Sequence, residues 1–138
     1  MNVRYRGSCI CGQVQFSWTG TPRFVAECVC ESCRRAHGAS VVGWLGGPAA
    51  QFSLDQGEPL LKWFQSSPEA ERAFCTACGT RIFFRSSKWA GEIHLALACM
   101  HEPHDLIATG ISFKEELPRW SFLSANHLGR TEQVTTSS

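Results

Sequence analysis

The sequence predicts an all-β, mainly antiparallel fold with few or no helices, and three observations carry that prediction. Short apolar or alternating segments recur at about the 8–12-residue spacing of all-β domains, with Gly, Pro and Ser turn signals between them. No segment longer than about ten residues repeats its apolar positions with a helical 3.6-residue period. A strand–knuckle–strand layout surrounds Cys75-Thr76-Ala77-Cys78-Gly79, the way a zinc-ribbon hairpin is built. With 138 residues, 43% apolar and 18% charged, the chain is long enough to bury one core without disulfides. The expected organisation is a single domain over residues 1–128, followed by a polar, Thr- and Ser-rich flexible tail over 129–138.

Taken in order, Gln13 to Trp18 alternates polar and apolar and reads as a half-buried strand directly after Cys9-Ile10-Cys11-Gly12. Gly20-Thr21-Pro22 turns the chain, and Arg23 to Cys28 is a second strand delivering a dense cysteine cluster at its end. Arg34 to His37 is expected to form a short helical turn stopped by Gly38. Val41 to Leu45, Phe52 to Leu54 and Leu60 to Gln65 are further strands, separated by Gly-rich turns. Glu71 to Phe74 leads into the second knuckle and Thr80 to Phe84 leads out of it. Ile93 to Ala98 is the clearest late strand, and Leu106–Phe113 and Trp120–Leu123 read as shorter extended segments.

Composition excludes several function classes. A formal net charge of +1 gives no electrostatic push towards nucleic acid or an anionic membrane surface. The stretch Met1 to Arg6 lacks an apolar h-region, and no apolar run approaches the roughly 20 residues of a membrane span. The expected compartment is the cytoplasm, where disulfides are rare.

Eight cysteines in such a compartment read as metal ligands. A C-x-C pair is too cramped to bridge internally, and a C-x-x-C pair followed by Gly resembles a zinc knuckle. Cys9 and Cys11, ending in Gly12, and Cys75 and Cys78, ending in Gly79, together supply the four thiolates of a closed structural zinc site. Cys28, Cys30 and Cys33 are then three ligands without a protein fourth, which is the mark of a catalytic zinc open to water or a thiol. His37 or Cys99 folding back as a fourth ligand, a site that takes metal only with a substrate thiol, and a redox-active thiol are the competing readings of that cluster. Arg34 is the candidate for holding a substrate carboxylate, and Arg35 reads as a solvated charge. His94 is expected in the core or at a sheet edge, His101 and His104 in a polar loop, and Cys99 as a small buried hydrophobe. Trp44 and Trp89, close to turns, are candidate pocket walls.

The motifs Gly7-Ser8-Cys9-Ile10-Cys11-Gly12-Gln13-Val14, Cys28-x-Cys30-x-x-Cys33-Arg34 and Phe74-Cys75-x-x-Cys78-Gly79-Thr80 resemble the glutathione-dependent formaldehyde-activating, or centromere protein V-like, domain family. The likeness continues more loosely to Pro118-Arg119-Trp120. It implies an Mss4-like β fold with up to two zinc ions, the structural one on Cys9, Cys11, Cys75 and Cys78. It implies a second site at Cys28, Cys30 and Cys33 linked to glutathione chemistry. The implied reaction joins formaldehyde to glutathione, giving S-hydroxymethylglutathione, and is grouped with carbon–sulfur lyases. The implied partner is thus a small thiol. The sequence departs from the family at Val29, where a histidine is common between the first two cysteines of the cluster. The rival class is a non-catalytic zinc-binding interaction module on the same scaffold.

Overall fold

The computed structural model describes residues 3–124, so the expected tail at 129–138 lies outside the described residues. Two sheets make up the fold. The smaller has the order β1 (Arg4–Ser8), β2 (Gln15–Thr19), β5 (Phe52–Gln56). The larger runs β10 (Ile111–Ser112), β3 (Phe24–Cys28), β4 (Val42–Pro48), β9 (Glu92–Ala96), β8 (Arg81–Ser86), β7 (Ala70–Cys75), β6 (Leu61–Gln65). Every ladder is antiparallel except the short β10–β3 pairing. Among the described residues one α-helix appears, α1 (Glu31–His37), ended by Gly38 in the left-handed region. None is long and apolar enough to cross a membrane.

Most strands fall where the apolar pattern puts them; the differences have local causes. β1 is not announced by its sequence, because Arg4, Tyr5 and Arg6 hide a strand that earns its place by pairing with β2 from Arg4↔Thr19 to Ser8↔Gln15. β2 itself is buried on three successive residues, Phe16, Ser17 and Trp18, rather than half-buried, with Arg4 donating to Ser17 Oγ at 3.3 Å. Of the stretch 106–113 only Ile111 and Ser112 form a ladder, alongside Glu27 and Cys28. Trp120 to Leu123 forms turns and bends instead of an extended segment, with Trp120, Phe122 and Leu123 exposed.

Two apolar clusters follow from this layout. Phe16, Trp18, Leu45, Ile82, Phe83 and Leu95 centre the larger, with Cys9 and Cys75 in it. Val42, Trp44 and Ala96 centre the smaller, with Cys28 and Cys33 in it. Each cluster therefore carries cysteines in its packing. Gly46 on β4 is required for close approach: a Cβ there would meet the Phe24 ring at 2.3 Å and His94 Cδ2 at 2.8 Å. Phe113 adopts φ 59° and ψ 42°, a left-handed conformation costing roughly 1–2 kcal/mol for a residue with a Cβ.

Candidate metal and thiol site

The two glycine-ended knuckles meet. Gly12 and Gly79 take φ 78° and 81°, closing each turn so that Gly12 N donates to Cys9 O at 3.0 Å and Gly79 N to Cys75 O at 2.7 Å. Ile10 N donates across to Thr80 Oγ1 at 3.1 Å, locking one knuckle to the other. The four sulfurs of Cys9, Cys11, Cys75 and Cys78 lie within 4.8 Å of one another, with Cys9–Cys11 at 3.5 Å and Cys11–Cys75 at 3.9 Å. A tetrahedral zinc with bonds of about 2.3 Å needs sulfurs about 3.8 Å apart, so this donor set fits the ion. Backbone N–H groups solvate the sulfurs: Val14 N donates to Cys9 at 3.3 Å, and the N–H groups of Thr80 and Cys11 reach Cys78. The Cys78 thiol is pulled down to about 5, first by its Thr80 hydrogen bond, while burial pushes Cys75 up to about 11.

The three-cysteine cluster is built where β3 hands over to α1. Cys28 ends the strand, Cys30 is the helix N-cap with its sulfur accepting from Cys33 N at 3.3 Å, and Cys33 faces inward from the first turn. Their sulfurs also lie within 4.8 Å of one another. Neither His37 nor Cys99 joins them among the described residues: His37 packs edge-on to Trp44 at 5.2 Å, and Cys99 Sγ lies 3.9 Å from Arg81 O. Three soft sulfurs with no fourth ligand among the described residues suit zinc with one position to spare. All eight cysteines are free.

A residue the sequence did not single out dominates this cluster. Arg72 on β7 is 4% exposed, and both of its terminal nitrogens point to Cys33 Sγ at 3.7 Å. Its Nε donates to Ser66 Oγ at 3.3 Å and its guanidinium lies 4.8 Å over the Phe84 ring. The Cys33 thiol is lowered to about 5, chiefly by the hydrogen bond with Cys28 and then by the Arg72 charge; Cys28 is correspondingly raised. Arg34 is placed otherwise than a carboxylate clamp would be: it donates to Val29 O at 2.9 Å and Glu116 O at 3.2 Å, pinning the cluster's own backbone. Arg35 pairs with Glu31 at 3.7 Å on the exposed helix face, as a solvated charge does.

The cluster opens into a cavity of about 580 Å³. Cys28, Cys30 and Cys33 line it together with Arg72, and Phe24, Trp44, Phe84, Trp89 and His94 form an aromatic wall. Trp44 and Trp89 thus both wall a pocket. His94 is 8% exposed, stacked on Phe84 at 5.3 Å and edge-on to Phe24 at 4.9 Å, with Nε2 3.2 Å from Glu92 Oε1. Burial lowers it to about 4, so it is neutral at pH 7. Arg23 closes the other side of Glu92 with an ion pair. His101 and His104 are not among the residues lining this pocket and bond to Ser8 Oγ at 2.9 Å and Leu106 N at 3.2 Å. Val29 is buried and does not line the cavity, so the pocket's imidazole comes from His94. The Glu92/His94 pair carried a signal, since residues two apart share a strand face. Arg72 carried none, since its approach to Cys33 depends on the sheet order.

A β fold with two separate groups of metal-competent thiols, one at the floor of a cavity, defines a class of cysteine-rich β proteins. The family model for the glutathione-dependent formaldehyde-activating enzyme matches residues 4–115, and the chain belongs to that family. An uncharacterized lyase of Schizosaccharomyces pombe is 29% identical over 85 residues, 58% of this chain and 56% of that protein; the match therefore spans little more than half the relative's length. A crystal structure of a Rhodobacter sphaeroides protein shares the fold at TM-score 0.60 and 22% identity, covering 78% of this chain and 99% of that one.

Proposed function

We propose that the protein is a zinc-dependent carbon–sulfur lyase that makes or breaks the bond between a small thiol, glutathione above all, and a carbonyl carbon. The observation that carries this reading is the incomplete set of three sulfurs at the floor of the cavity. Cys9, Cys11, Cys75 and Cys78 hold a structural zinc in this account, and Cys28, Cys30 and Cys33 hold a second. A zinc held by these three sulfurs would leave room for an added thiol and would favour its ionisation at neutral pH.

The chain's own residues do the rest. Arg72 fixes the Cys33 sulfur and balances the negative charge gathered around the three thiolates. Where Glu92 accepts, the His94 proton sits on Nε2 and the other ring nitrogen is a proton acceptor. In the forward direction the C–S bond forms, the carbonyl π pair moves to oxygen, and the thiol's proton ends on that oxygen. In reverse the hydroxyl proton leaves, and His94 is the neutral imidazole among the groups that line the cavity. The aromatic wall excludes water around these charges, strengthening them.

Mixing zinc-loaded protein with formaldehyde and glutathione and following adduct exchange by NMR tests the reading. Exchange faster than the protein-free rate, lost in Cys30→Ser, is expected. No acceleration, or acceleration undiminished in Cys30→Ser, refutes it. Exposed Trp120, Phe122 and Leu123 favour the rival, a non-catalytic zinc-binding interaction module. That module predicts zinc ligands that a small thiol leaves unperturbed, read from the X-ray absorption spectrum with and without glutathione.

A further inference from the structure

Trp89 and Phe113 stand at the cavity with 46% and 50% of their surface open to solvent. A half-exposed aromatic ring is ordinary by itself. A bulky residue held at positive φ is not, and persists only where its surroundings impose it; such residues gather at ligand clamps. Behind Trp89 the aromatic surface continues. Trp89 lies 6.3 Å from Phe84 and 5.7 Å from His94, and Phe84 lies 6.0 Å from Trp44.

The charged groups around the cavity are already committed to one another. Arg23 pairs with Glu92, Lys88 with Glu69 at 3.4 Å, and Arg72 with Cys33 and Ser66. Aromatic surface is what the cavity presents unmatched.

We infer that the carbon group carried on the sulfur is aromatic, and that Trp89 and Phe113 are the residues that select it. The inference rests on the thiol-adduct reading above and names the class of its carbonyl partner, an aryl aldehyde. The chemistry balances as it does for formaldehyde: the C–S bond forms, the thiol proton passes to the carbonyl oxygen, and nothing is oxidised. The aryl ring lies between Trp89 and Phe113, its sulfur directed to the three-cysteine floor.

Two unreactive thioethers, S-benzylglutathione and S-methylglutathione, differ only in the group the two rings would hold. Their dissociation constants for the zinc-loaded full chain are measured by calorimetry. The benzyl thioether is expected to bind about tenfold more tightly, the scale of one desolvated aromatic pairing. That ratio falls to about twofold in Trp89→Ala and in Phe113→Gly, where glycine takes the left-handed backbone readily and keeps the variant folded. Equal affinities in the parent protein, or a ratio unchanged in both variants, overturn the inference. A benzyl preference without any aldehyde–thiol exchange would instead leave the aromatic site in place and remove the lyase reading. Exchange without a benzyl preference does the reverse.

Discussion

Replacing Arg72 with leucine removes a buried guanidinium whose contacts are all specified. Three of its nitrogens contact Cys33 and Ser66, and its plane covers Phe84. Hydrogen bonds from a charged donor are worth about 1.5–3 kcal/mol, and a desolvated cation–π contact about 2 kcal/mol. At 3.7 Å the sulfur contacts belong at the weak end, and leucine recovers part of the loss by relieving the burial of a charge. A net loss of about 3 kcal/mol follows, or about 10 °C in Tm for a chain of this size. The second readout is alkylation of Cys33 after chelation, followed by mass spectrometry across pH. In the parent protein the thiol is lowered to about 5, partly by Arg72, so the pH of half-maximal labelling must rise in the variant. Taken alone, the lowered Cys33 contributes stability present above its unfolded value of about 9 and lost as pH falls through about 5, while the raised Cys28 acts in the opposite sense at high pH. An unchanged Tm together with an unchanged labelling pH would refute the argument.

Metal analysis of the purified protein should give two zinc equivalents per chain. Cys78→Ser should lose one and fail to fold stably at 37 °C, while Cys30→Ser loses one and keeps the circular dichroism spectrum of the parent. Gly46→Ala drives a methyl into Phe24 and His94, so a loss of about 1–3 kcal/mol in denaturant unfolding is expected. His37, half-buried near Arg72 and Arg81, is lowered to about 4, first by desolvation. Its contribution is therefore present above the unfolded value of about 6.5 and lost as pH falls towards 4, so His37→Gln should flatten the stability–pH curve in that window. Phe113→Gly relieves the left-handed backbone and should raise or maintain Tm, gaining up to about 1 kcal/mol, even as it weakens binding of an aryl thioether.

What could be read from the sequence was the chemistry written within a few residues. Cys9/Cys11 and Cys75/Cys78 announce their turns because each pair and its glycine form one local unit, and the apolar alternation marks most strands. The helix stop at Gly38 is equally local. Residues whose roles depend on the ladder register stayed hidden. Arg72 meets Cys33 across 39 positions of sequence, through a sheet order in which β7 lies four strands from β3. Arg34, adjacent to the cluster, looked like the functional cation because sequence proximity was the available measure, yet its bonds run back to backbone carbonyls. β1 was invisible for a related reason: its alternation is masked by arginines, and its partner strand supplies the order.

The four-sulfur knot joins a hairpin of the small sheet to a hairpin of the large one, sheets that share no named ladder. Cys11 and Cys75 are 64 positions apart. At synthesis rates of about 5–20 residues per second, the first pair leaves the ribosome some 3–13 s before the second does. During that interval Cys9 and Cys11 are a bare two-thiol site, able to take a metal but unable to keep its full shell. A zinc on these four sulfurs would therefore be held only late in synthesis: ribosome-bound chains halted before Cys75 should exchange zinc freely, and chains whose Cys75 and Cys78 have emerged should retain it.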